Sequence, residues 1–352
     1  MNDFFEKLKK GIEKNVKGVH ASVLSDSDIA TNRWWVETPS YDLNRILSGS
    51  LFKGLQSRNL VGIVGPEHTM KSSFMILCMV EAQKQGKDIV IIDTEGAINA
   101  EFCTRWGLDI NSVYYVYTPF ISEVRSVLAQ IRETGNDNLM IGLDSVGGLD
   151  RLKQFKDAAE GEMKADQGLL QKEIRSMLKM FLNVCIGQNS VGIATGHMYG
   201  SPDKFNPGDK VGGGKAMSLF PSILIMLKKK ALLDSDKNVI GNEITASTIK
   251  NRLYPPFQTA TINLNYTDGV EPYAGMLDLA IESGEIIKSG SWYSSKGGER
   301  IGQGKDKATA ALPDFNDILD SIDGWLSDTG YSTKSKEIEE AVQLLEDENG
   351  SG

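Results

Sequence analysis

Short, continuous apolar runs alternate with stretches of helical spacing from residue 59 to residue 197. The runs are Asn59–Gly65, Asp88–Asp93, Val113–Tyr117, Leu139–Leu143 closing at Asp144, and Ser190–Thr195 ending near His197. Between them, helices are predicted at Ser72–Gln85, Ser122–Glu133 and about Leu169–Val184. A run that is apolar at every position is the mark of a strand covered on both faces, and strands alternating with helices predict a mostly parallel sheet. In such a sheet, ligands sit beyond the carboxyl ends of the strands. A polar stretch from about Asp150 to Gln167 breaks the pattern. Upstream, Phe4, Leu8, Ile12 and Val16 recur every four residues, with Phe5 beside them and lysines on the other face. That is an amphipathic helix whose partner is either its own core or a neighbouring subunit. A polar link, Ser25–Asp28, and the segment Trp34–Gly54 lead into the first core strand.

The chain has 352 residues, 40% of them hydrophobic, and no apolar run near the ~18 residues a membrane span needs. One large domain with small additions is the natural division, without a membrane partner. The N-terminal residues have no uninterrupted apolar stretch followed by a small-residue cleavage site, so the cytoplasm is the expected location. Cys78, Cys103 and Cys185 are widely spaced, as are His20, His68 and His197, which indicates neither a zinc site nor a disulfide framework. The net charge of −9 is not spread evenly. Residues 313–352 hold 11 of the 47 acidic side chains and two of the 38 basic ones, leaving 36 of each in residues 1–312. The acidity therefore belongs to the tail, either as a solvated end or as a competitor with a polyanion for a basic surface.

The chemistry gathers at the strand ends. After the first run come Gly65, Pro66, Glu67, His68, Thr69, Met70, Lys71, Ser72 and Ser73, the order of a phosphate-binding loop. Backbone N–H groups would curl around a β-phosphate, Lys71 would reach the β/γ oxygens, and Ser72 would ligate Mg²⁺. Met70 stands where the usual pattern has glycine. With that position relaxed, the pattern arises by chance on the order of a few tenths of a time in a chain of this size, so context must decide. Asp144, closing an apolar strand, suits the acid that holds Mg²⁺ through water. Glu95 is a candidate base for the water that attacks a γ-phosphate. His197 is either a structural histidine or a γ-phosphate sensor. The stretch Met198–Lys215, rich in Gly, Pro and Lys, interleaves Lys204, Lys210 and Lys215 with Tyr199 and Phe205. It is a mobile surface loop or a nucleic-acid contact that tracks the backbone and stacks on bases.

Further on, Tyr273–Ala280 (YAGMLDLA) and Ser289–Lys305 (SGSWYSSKGGERIGQGK) resemble the segment beyond the ATPase core of the RecA-type homologous recombinases. With the phosphate loop, the resemblance covers roughly residues 35–312. Met70 and His197 are similar to the T4-type, UvsX-like phage branch, whereas Lys215 departs from the usual asparagine after the glycines. The resemblance implies a RecA-like P-loop ATPase core with a mostly parallel sheet, an N-terminal docking helix and a small C-terminal α/β domain. Its divisions would be 1–33 for the oligomerising helix and linker, 34–267 for the core, 268–312 for the start of the small domain and 313–352 for an acidic helical region and tail.

The implied activity is that of a DNA-dependent ATPase that forms a helical homo-oligomeric filament on single-stranded DNA. It would pair the strand with homologous double-stranded DNA and exchange strands in recombination, repair and recombination-dependent replication, using ATP and Mg²⁺. Single-strand-binding and mediator proteins are further implied partners. By position, Gly65 to Ser73 bind the triphosphate, Glu95 is the catalytic carboxylate, Phe102 stacks on adenine and Asp144 is the metal-linked acid. Lys250 and Arg252 match two cations that reach a neighbouring subunit's γ-phosphate. Residues from about Phe155 to Gln167, with Lys156 and Lys164, correspond to a first DNA-binding loop. Met198–Val211 corresponds to a second, with Gly212, Gly213 and Lys215 beyond it. Two rivals share these residues: a helicase or translocase on the same core, and an ATP-gated DNA-binding filament in which Met70 has abolished turnover.

Overall fold

The computed structural model describes residues 3–16, 19, 21–159, 167–199, 210–211, 215–234 and 236–329. Its centre is one twisted sheet built from β1 (Asn59–Gly65), β2 (Asp88–Asp93), β3 (Val113–Tyr117), β4 (Leu139–Asp144), β5 (Val191–Tyr199), β6 (Ile223–Leu233), β7 (Val239–Asn251), β8 (Thr259–Asn265) and β9 (Gly269–Glu271). The order across the sheet is β9-β8-β7-β6-β1-β5-β4-β2-β3. From β6 to β3 every pairing is parallel, and β7, β8 and β9 add antiparallel strands at one edge. All five apolar runs lie next to one another in the parallel part.

Alternation within the buried strands explains the layering. In β1, Val61 and Ile63 face the helix Lys71–Lys84 with Met75 and Met79, while Leu60 and Val64 face the helices Ile121–Thr134 and Gln167–Gly187 with Val124, Leu128, Met177 and Phe181. With both faces covered, every residue of β1 is buried. The contact is close at Gly142 of β4, where a Cβ would stand 2.4 Å from Met79 Cε and 2.6 Å from Met75 Sδ. A side chain there would require the ends of both methionines to shift.

The helix predicted at Ser72–Gln85 is shifted by one residue, to Lys71–Lys84, and the other two extend one to three residues beyond their expected ends. The polar stretch from about residue 150 begins with a helix, Leu152–Ala159, which takes in the first residues of the segment matched to a DNA-binding loop and whose Phe155 packs edge-on against Phe120 at 5.7 Å between centroids. The polar link at 25–28 is also structured. Asp28 begins a short helix and pairs with the buried Arg58 at 2.6 Å.

The amphipathic N-terminal helix spans Asp3–Asn15 and has no buried residue, with Phe4, Phe5 and Leu8 each about half exposed. A separate apolar cluster forms the small C-terminal domain. It joins the helix Met276–Glu282, the antiparallel sheet of Ile286–Ser289, Trp292–Ser295 and Arg300–Gln303, and the helix Asn316–Thr329. The cluster runs across residue 312 without a break, and Leu51 of the core enters it, its N–H donating to Asp323 Oδ1 at 2.6 Å. Among the described residues, no helix is long and apolar enough to cross a membrane.

Candidate active site

The phosphate loop leaves β1 at Gly65, where a Cβ would stand 2.6 Å from the Leu227 carbonyl oxygen and 2.7 Å from Thr69 Oγ1. His68 and Met70 both take left-handed backbone conformations, with φ of 61° and 65°, and Met70 is the residue that caps the helix Lys71–Lys84. This is why glycine is usual there: a side chain at a left-handed position costs roughly 1–2 kcal/mol. Met70 offsets that cost by packing on the core behind the loop, and its sulfur accepts from Asn242 Nδ2 at 3.1 Å. Lys71 is 6% exposed, and its ammonium donates to the carbonyls of Gly65 at 3.2 Å and Pro66 at 2.8 Å. Burial lowers its pKa, against the upward pull of Asp144, Glu95 and Glu67.

Parallel pairing brings the acids to the same end of the sheet. Gly65 is in register with His197, and Asp93 with Asp144. Asp144 accepts from the hydroxyls of Thr195 and Ser72. Burial raises its pKa, with those two hydrogen bonds opposing the shift. Glu95 Oε1 accepts from Ser145 Oγ and lies 3.4 Å from His197 Nε2. Asp93, fully buried, holds the loop that carries Glu95. Its Oδ1 accepts from the N–H groups of Glu95 and Gly96 at 2.9 and 2.8 Å, and its Oδ2 from Ile98 N–H at 3.0 Å and the Tyr115 hydroxyl at 2.9 Å. Burial, reinforced by that hydrogen bond, pushes Tyr115 up to about 12.

These residues enclose a cleft of about 250 Å³, lined among others by Lys71, Ser72, Glu95, Asp144 and His197. Beside it runs a larger groove of about 960 Å³, lined by Arg105, Trp106, Asn242 and Tyr266. His68, Met70, Ser73 and Phe102 belong to both. A buried ammonium resting only on carbonyls, opposite a buried carboxylate resting on hydroxyls, fits a triphosphate with a divalent cation, each supplying the charge its neighbour lacks.

Lys250 and Arg252 are not at this cleft. Lys250 Nζ donates to the carbonyls of Ser218 and Leu219, both at 2.8 Å, and Arg252 reaches Leu219 O at 3.4 Å. Those carbonyls end the short helix Lys215–Leu219. Burial, with the Arg252 charge beside it, lowers Lys250 to about 8. Through Ser222, the backbone of Arg252 is level with Leu60, five residues before Gly65 along β1. At a strand's rise that is roughly 16 Å from the phosphate loop.

Of the residues read as DNA contacts, Lys156 is exposed on the helix Leu152–Ala159 and Lys215 is exposed at the start of its helix. Tyr199 and Lys210 pair across a two-residue antiparallel ribbon, so β5 continues beyond its expected end. Lys164, Lys204, Phe205, Gly212 and Gly213 lie outside the described residues. Asp93 ends its apolar strand in sequence, but its role in holding the Glu95 loop, like the parts played by Ser145, Thr195, Asn242 and Tyr266, emerges only in the fold. Thr195 was open to discovery as a polar residue at the carboxyl end of an apolar strand, but Asn242 and Tyr266 come from the antiparallel edge and nothing local marks them.

The family model described as the RecA N-terminal domain matches residues 9–271, and that of the RecA C-terminal domain matches 274–328. Similar proteins include the RecA protein of Chlorobium limicola, 29% identical over 277 residues that cover 76% of each chain. The RecA protein of Thioalkalivibrio sulfidiphilus is 27% identical over 327 residues, covering 89% of this chain and 92% of that one.

Proposed function

The chain belongs to the RecA family, and on that premise we propose that it is an ATP-dependent recombinase, assembling as a helical filament on single-stranded DNA and exchanging strands with a homologous duplex. The matched relatives are bacterial, and a phage affiliation rests on Met70 and His197 alone. The observation that carries the filament reading is the division of the charged residues between the two ends of the sheet. Lys71, Ser72, Glu95, Asp144 and His197 surround one cleft. Lys250 and Arg252 lie toward the other end, level with Gly62 and Leu60 of β1, and are held away from that cleft on the Ser218 and Leu219 carbonyls. A head-to-tail neighbour, repeated as an open helix, brings the two ends together. The exposed apolar face of Asp3–Asn15 supplies a further subunit contact.

In this reading Gly65 to Ser73 bind the triphosphate, Phe102 flanks the base, and Ser72 and Asp144 hold Mg²⁺. The metal, when bound, neutralises charge on the phosphate oxygens. Lys71 and the neighbour's Lys250 and Arg252 stabilise the charge that develops as the γ-phosphoryl leaves, and Glu95, oriented by Ser145 and His197, positions the attacking water. Drawing Lys250 and Arg252 from the carbonyls of Ser218 and Leu219 toward the neighbour's phosphates would couple the helix behind the second loop to the nucleotide. Lys156, Tyr199, Lys204, Phe205, Lys210 and Lys215 then contact DNA, and hydrolysis acts as a release step.

Mixing variants tests the shared site. Lys71→Ala destroys a subunit's own phosphate loop, whereas Lys250→Ala with Arg252→Ala removes only what it lends to its neighbour. Each preparation alone should be inactive, and an equimolar mixture on single-stranded DNA should regain activity at about one interface in four. No recovery from mixtures that form filaments would contradict the shared site.

A further inference from the structure

Met70 is the residue where the phosphate loop departs from its usual chemistry, and the structure shows what holds it. Asn242, on the antiparallel edge strand β7, is 7% exposed and stands between two acceptors. Its Nδ2 donates to Met70 Sδ at 3.1 Å and to the Tyr266 hydroxyl at 3.1 Å. Met70 borders both the phosphate cleft and the larger groove, and Asn242 and Tyr266 line the groove. The methionine also closes a narrow apolar gap between Phe74, Leu77, Ile244 and Leu264. Its side chain is therefore a wall between the two compartments, fixed at its sulfur, on a backbone that would relax without it.

We propose that Asn242 is a positioning residue for the nucleotide, tethering the left-handed Met70 of the phosphate loop and the Tyr266 ring of the groove through one amide. The inference rests on the nucleotide-binding reading of the cleft. Asn242 reaches the phosphate loop through the Met70 side chain and so sets the shape of the loop on which Lys71 and Ser72 ride. A glycine at position 70 would have no side chain to hold and no left-handed penalty, so Asn242 would then have only its contact with the exposed Tyr266 to lose.

The test is a double-mutant cycle read as KM and kcat separately for single-stranded-DNA-dependent ATP hydrolysis, with binding of a fluorescent ATP analogue and thermal melting alongside. In the native background Asn242→Leu should raise KM for ATP about tenfold and change kcat less than about twofold. In the Met70→Gly background the same substitution should raise KM less than about twofold relative to Met70→Gly alone. Met70→Leu, which keeps the bulk and removes the sulfur acceptor, should raise KM about three- to fivefold, and it decides the matter should Asn242→Leu fail to fold. Equal rises in both backgrounds, a loss confined to kcat, or an unchanged KM in Met70→Leu would overturn the proposal. A native protein that binds no ATP analogue at all would instead refute the nucleotide-binding reading, and this inference with it.

Discussion

Lys250 offers a prediction in which geometry and titration bear on the same step. Its ammonium is partly buried beside Arg252, which lowers its pKa to about 8 from the usual 10.5. If Lys250 lends its charge to a neighbour's phosphates, only the protonated form contributes. A group titrating near 8 is about nine-tenths protonated at pH 7 and about one-tenth at pH 9. The value of kcat/KM reports groups of the uncomplexed protein, so it should fall about tenfold between those pH values with a limb near 8. Arginine does not lose its proton in this range, so Lys250→Arg should flatten the limb to less than about twofold, whatever its activity at pH 7. Stability moves the other way. Between the folded value and the ordinary one the unfolded chain binds more protons, so raising pH through this window favours the folded state. Titration of Lys250 therefore adds no destabilisation in this window, and the melting temperatures report the rest of the chain. The assay is steady-state ATP hydrolysis on a homopolymeric single strand across pH 6.5–9.5, with melting temperatures at each point. A limb near 8 that persists in Lys250→Arg would refute the assignment.

Other substitutions separate binding, positioning and chemistry. Glu95→Gln keeps the side chain's size while removing its basicity, so kcat should drop about 10²- to 10⁴-fold with ATP-analogue affinity within about threefold. Asp93→Asn replaces two acceptor oxygens with one acceptor and one donor facing N–H groups, so kcat should fall about tenfold and the melting temperature by several degrees. Gly65→Ala places a methyl group 2.6 Å from the Leu227 carbonyl, which should displace the loop and weaken analogue binding at least about tenfold.

The parallel half of the sheet was legible because burial on both faces forces β1, β2, β4 and β5 to be apolar throughout, and a polar residue can appear only where such a strand ends. Asp93, Asp144 and His197 stand out for that reason. The antiparallel half left a weaker trace. β7 and β8 alternate buried and half-buried positions, so Asn242 looks like any outward polar residue until the fold sets it beside Met70. The helix Leu152–Ala159 lies in a stretch that its lysines and aspartate mark only as polar, and its Phe155 meets Phe120 edge-on while staying 62% exposed. Met70 itself looked like a defect in the phosphate loop. Its left-handed backbone shows why glycine is expected there, and its sulfur contact shows how a methionine is accommodated.

Strand exchange between a circular single strand and a homologous linear duplex tests the central claim most directly. With ATP and Mg²⁺ the protein should convert the two substrates into joint molecules and then nicked circles. Without ATP, or with Lys71→Ala, it should form none. Filaments that assemble on the single strand and hydrolyse ATP but yield no joint molecules would contradict the recombinase reading.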